Sequence, residues 1–99
     1  MIGLYNARPA QVQALRIILG ATSRQQIRGF CPNANVGVKL ERVDGELRED
    51  ETDIRWVLVD NGKGQVSEMR HDGDWLVRHS DESFVILSDP EFSERYVRA

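Results

Sequence analysis

The sequence predicts an α+β domain: a curved, mainly antiparallel sheet of five to seven strands, with a short helix after the first strand and a C-terminal helix. Three observations lead there. Trp75-Leu76-Val77-Arg78 and Phe84-Val85-Ile86-Leu87 repeat with a period of two in aromatic and branched residues, as paired strands with a buried face do. Directly afterwards, Asp89 to Arg98 carries Phe92 and Tyr96 four apart, one face of a short helix. Finally, Asp44-Gly45 and Asn61-Gly62 are two-residue turn signals between alternating segments. At 99 residues, 40% hydrophobic and 29% charged, residues 1–99 read as one compact domain with a modest core.

Taken in order, Tyr5 to Leu19 is ambiguous. Val12, Leu15 and Leu19 have helical spacing behind Pro9, yet Leu15, Ile17 and Leu19 also alternate. Ala21 to Cys31 is a short helix, opened by a capping box at Thr22/Gln25 or Ser23/Gln26 and stopped by Pro32. Its stripe is Ile27, Phe30 and Cys31. Asn35 to Val43 is a half-buried strand that turns at Asp44-Gly45 and returns through Glu46-Leu47-Arg48. The densest charge run follows, Glu49-Asp50-Glu51 with Asp53, expected as a solvated loop or strand edge.

Ile54 to Val59 is the most apolar strand. Trp56 and Leu58 face one way and Val57 and Val59 the other, so both faces are expected to be covered, in the middle of the sheet. Asn61 to Gly64 turns the chain into Gln65 to Met69. The loop His79 to Ser83 has no glycine and suits a turn of four or five residues. The last helix has two competing starts: Ser88 with Glu91 as a capping box, or Asp89 as cap with Pro90 at the first position.

Composition narrows the function classes. A lone Cys31 excludes an internal disulfide and fits a reducing compartment. No long apolar run, leader or lipidation pattern is read, so no membrane partner is expected. Residues 1–40 hold Arg8, Arg16, Arg24, Arg28 and Lys39 and no acid, so a total charge of −3 leaves −8 on the remainder. The acidic balance argues against nucleic acid as partner. His71, Asp72, Asp74 and His79 match no zinc spacing, and no phosphate loop or catalytic constellation is present. The expectation is no enzyme, no metal and no cofactor.

Two candidate sites remain. Arg24 and Arg28, four apart on a helix, together with Trp56, Trp75 and Arg78 and with Tyr5 nearby, are the residue types that would hold a nucleotide-like ligand: rings for a base, guanidiniums for phosphate. The ordinary alternative is a solvated helix face and two core tryptophans. Glu49, Asp50, Glu51 and Asp53 form the candidate interaction surface for a protein partner.

Both ends of the chain carry a resemblance. Tyr5-x-Ala7-Arg8-Pro9-x-x-Val12-x-Ala14-Leu15-Arg16 is similar to the opening of a group of small tailed-phage proteins. Gly73-Asp74-Trp75-Leu76-Val77-Arg78, then Phe84, Phe92 and Tyr96, is similar to that group's ending. Asp72 stands where the group has Pro, His79 and Glu82 where its hairpin tends to have Gly, and Ile86-Leu87 in place of Pro-Cys. The resemblance implies a strand over Val12 to Leu19. It also implies a phage-encoded accessory protein of the host cytoplasm. Such a protein is expected to bind a host factor, with counter-defence as its effect and a C2 homodimer as one assembly. The alternatives are sequestration of a nucleotide-like signal molecule, or a minor virion or assembly component.

Overall fold

The computed structural model describes residues 2–6 and 11–98, with the side chains of all but Tyr5, Asn6 and Arg98. Its elements are β1 (Ile2–Asn6), β2 (Gln11–Arg16), α1 (Arg24–Phe30), β3 (Asn35–Val43), β4 (Glu46–Asp60), β5 (Val66–Glu68), β6 (Trp75–Arg78), β7 (Phe84–Leu87), α2 (Asp89–Arg95) and β8 (Val97–Arg98). The α+β class holds. The single curved sheet does not: there are two antiparallel sheets, five strands in the order β7-β6-β2-β1-β8 and three in the order β3-β4-β5. Alternation within a segment identifies a strand but not the sheet it joins, which is why one sheet was expected.

The β7-β6-β2 part of the five-stranded sheet is covered on both faces. On one, Val12, Ala14, Val77 and Leu87 pack with Phe92 and Tyr96 of the α2 segment, with Trp75 and Val85 alongside. On the other, Leu15, Ile17 and Leu76 share a core with Ile27 and Phe30 of α1 and with Val36, Ile54, Val57 and Val59 of the smaller sheet. The helices therefore contribute to opposite faces of this sheet. Trp75 lies flat on Phe92, with ring centroids 4.0 Å apart, and Phe92 meets Tyr96 at 5.0 Å. Contacts at that separation add to the burial of large apolar rings.

Local chemistry fixes the helix ends. Ser23 caps α1 and Ser88 caps α2, each in a reciprocal capping box with Gln26 or Glu91. Thr22 does not cap; its hydroxyl accepts from Ile18 N–H and lies 3.3 Å from Arg16 O, bracing the chain as it leaves β2. Asp89 does not cap either. It accepts the indole N–H of Trp75 at 2.9 Å. The C-terminal helix ends at Arg95 rather than Arg98, because Val97 and Arg98 turn into β8 beside β1. Similarly, β2 stops at Arg16, three residues short of the expected Leu19. Arg8 and Pro9 of the N-terminal motif lie outside the described residues.

The largest departure concerns β4. Of the two expectations for the acidic run, the loop is corrected and the strand edge stands: it is part of one 15-residue strand that pairs with β5 only at Leu58, Val59 and Asp60. Pairing with β3 slips twice: Gly37 pairs Trp56 while Val38 pairs Ile54, and Lys39 then pairs Asp50. Arg55 is the extra residue of the first slip, and residues 51–53 are extra in the second. Bulges of this kind bend a strand and change which residues point inward. Ile54, Val57 and Val59 are consequently all buried, while Trp56 is 52% exposed. The expectation that both faces of this strand are covered is corrected at that residue.

Beyond the bulges, β3 and β4 continue as a two-stranded ribbon closed at Asp44-Gly45. Both turn residues have positive φ (52° and 81°), as a tight hairpin of this hand requires. Lys39 to Glu49 is exposed throughout. The molecule measures 53 × 26 × 20 Å, and its radius of gyration is 14.3 Å, against about 13 Å for a compact chain of this length. This ribbon, the arm, stands out from a two-sheet body.

Candidate functional site

The residues expected to share one pocket are dispersed. Trp75 and Arg78 sit three apart on β6, so their side chains leave opposite faces of the sheet. Trp75 is taken up by Phe92, Asp89 and the guanidinium of Arg16, 5.5 Å from its ring. Arg78 lies over the Phe30 ring at 5.0 Å on the side facing α1. Trp56 is on the smaller sheet. Its indole covers Gly37, where a Cβ would come within 2.2 Å of the ring, and its N–H donates to Asn35 Oδ1 at 2.9 Å. Only Gly leaves room for that ring, so Trp56 seals an edge of the sheet. Trp56 and Arg78 line different clefts, of about 130 and 390 Å³.

Arg24 and Arg28 are not a pair. Arg24 turns to the acidic run, where its guanidinium meets Glu49 and, at 2.6 Å, the buried Oε2 of Glu51. Gly20 N–H donates to Thr52 O nearby. Arg28 is exposed. The charge asymmetry of the sequence is thus partly cancelled inside the fold, at the root of the arm.

The acidic residues have separate duties there. Glu49 and Glu51 hold Arg24; Asp53 pairs with Arg55 at 3.2 Å; Asp50 Oδ1 accepts from Thr52 N–H and hydroxyl, both at 3.3 Å. Glu49 and Glu51 thus tie the arm to α1, while Asp50 and Asp53 are engaged within β4 itself.

What the arm presents instead was not legible as a site. Its strands pair Leu40 with Glu49 and Arg42 with Leu47 on one face, and Lys39 with Asp50, Glu41 with Arg48 and Val43 with Glu46 on the other. Leu40 is 60% exposed and Leu47 64%. They are diagonal neighbours on one face, with no layer of the body beneath them among the described residues. The available signal was that Leu47 falls opposite Arg42 across Asp44-Gly45, and Arg42 is two residues from Leu40, which puts both leucines on one side of a hairpin.

A second feature is Asp74, buried to 3% exposure. Its Oδ2 accepts from Arg70 and His71 N–H at 2.8 and 3.0 Å, pinning the segment that crosses from β5 to β6. Its Oδ1 is 3.7 Å from His71 Nδ1, in the wall of a cleft of about 480 Å³ shared with Glu68, Arg70, Ser88 and Glu91. Asp72 is used on Leu19 N–H. Among the described residues, no group of three or more His, Cys, Asp or Glu is arranged to hold a metal ion. Burial pushes the Cys31 thiol above its ordinary 9.0, against the hydrogen bonds of Asn33 and Ala34 and the charge of Arg78, which disfavours the nucleophilic thiolate. No helix of the described chain is long and apolar enough to cross a membrane.

No family model matches the chain, and neither the curated proteins nor the solved structures contain a match.

Proposed function

We propose that this chain is a phage-encoded, non-enzymatic accessory protein that acts in the host cytoplasm by binding a host protein, with the β3–β4 arm as its contact element. The phage setting rests on the resemblance of the two end motifs. The mode of action rests on one observation: Leu40 and Leu47 stand exposed together on an element that adds nothing to either core. Apolar side chains in such a position gain burial only when another molecule covers them. Counter-defence follows if the captured protein belongs to the host's antiviral apparatus.

The test is capture from host lysate by the wild-type chain and by Leu40→Glu/Leu47→Glu in parallel. A stoichiometric partner retained by the first and lost by the second is expected, with the far-ultraviolet spectrum unchanged. Equal capture by both chains rejects the arm as contact element.

A further inference from the structure

The outer edge of β3 is the border of the smaller sheet, and along the arm it offers a row of backbone donors and acceptors to solvent. Such an edge is a template for another strand unless something blocks it. We infer that the strand it takes is β3 of a second copy of this chain, antiparallel, about a two-fold axis at Leu40. This rests on the reading of the arm as an interaction surface and names its first partner.

The order of charges along β3 favours this pairing. A two-fold axis normal to the sheet keeps each side chain on its own face, so residues pair in registers that can shift only by two. With Leu40 opposite its own copy, Lys39 of each chain falls opposite Glu41 of the other, and the two leucines meet on the other face. Within each chain Lys39 already pairs Asp50 and Glu41 already pairs Arg48. Across the four strands the row then reads Asp50, Lys39, the second copy's Glu41, the second copy's Arg48, which is strict alternation of sign. Moving the axis by one residue either way puts Lys39 on Lys39 or Glu41 on Glu41. Opposite charges directly across a strand pair stabilise and like charges destabilise, so the sequence selects one register.

The product joins the two smaller sheets edge to edge, with the paired arms forming a four-stranded ribbon at the centre. Leu40 and Leu47 of both copies gather on one face, doubling the apolar surface available to a further partner. A strand-edge contact is smaller than a standard interface, so dissociation on the order of micromolar is expected.

Light scattering or sedimentation from about 1 to 100 µM tests this. The wild-type chain should rise to twice the mass of the 99-residue chain. Lys39→Glu alone and Glu41→Lys alone should each stay monomeric, since each places like charges opposite. Mixed one to one, they should recover the double mass, because the unlike variants pair with opposite charges at both positions. Rescue on mixing cannot come from misfolding of either variant. A wild-type chain that stays monomeric, single variants that still dimerise, or a mixture that does not recover would each overturn the inference. A monomer that still captures a host protein through Leu40 and Leu47 sinks the self-pairing and leaves the proposed function standing. A dimer that captures none does the reverse.

Discussion

In the body, the apolar faces of β2, β6 and β7 meet a second layer, while Ile2 and Leu4 of β1 and Trp56 of β4 stay about half exposed at its margins. Leu15 and Leu76 share a core with Val57 and Val59, while Ala14 and Val77 lie against Phe92. In the arm, strands of the same alternating pattern meet no second layer among the described residues, and Leu40 and Leu47 remain in water. The difference between the regions lies in what stands opposite each strand, not in the strand sequences themselves. Stability should therefore reside in the body and recognition in the arm, joined by the bulges and by Arg24.

Trp75→Ala is expected to break the body most severely. It removes the ring stacked on Phe92 and the donor to Asp89, and should lower unfolding free energy by about 3–5 kcal/mol in urea titration. Gly37→Ala strikes where body becomes arm. The new methyl must displace the Trp56 indole, costing about 1–3 kcal/mol, and tryptophan fluorescence should report the ring's move into solvent. Arg24→Ala leaves the buried Oε2 of Glu51 without its partner. With both glutamates partly solvated the loss should be only about 1 kcal/mol, together with faster amide exchange over residues 50–53.

The smallest effect concerns α2. The Ser88 hydroxyl and backbone N–H hold the Glu91 carboxyl below its ordinary 4.5. A depressed carboxyl stabilises the fold fully above pH 4.5, and the contribution is lost as pH falls through the lowered value. Carboxyl resonances followed by NMR should show Glu91 titrating below an ordinary glutamate. Ser88→Ala should return it toward 4.5.

Much of this was readable from residues. The Trp75 to Leu87 hairpin, both helices, the Asp44-Gly45 turn and the middle position of β4 in its sheet follow from short-range pattern and turn chemistry. Which of two adjacent candidates capped each helix was not, because Thr22 and Asp89 are drawn away by tertiary partners, Arg16 O with Ile18 N–H and the Trp75 indole. The short strands β1 and β8 were missed, being too brief to show a period. The continuity of β4 was hidden because the bulges at Arg55 and residues 51–53 break alternation where charge is densest, so one long strand reads as a strand, an acidic loop or strand edge, and another strand. The candidate pocket failed for a related reason. Trp75 and Arg78 are near in sequence, but three residues along a strand reverses the face.

The division between body and arm is tested most directly by comparing Leu47→Glu with Leu76→Ala in equilibrium urea unfolding, at chain concentrations too dilute for self-pairing. Leu76 is fully buried and Leu47 is 64% exposed. A loss of about 2–5 kcal/mol for Leu76→Ala, beside a change within about 0.5 kcal/mol for the charge placed at Leu47, is the predicted result. Comparable losses from both would mean that the arm is folded onto the body in solution and that the two regions are not separate.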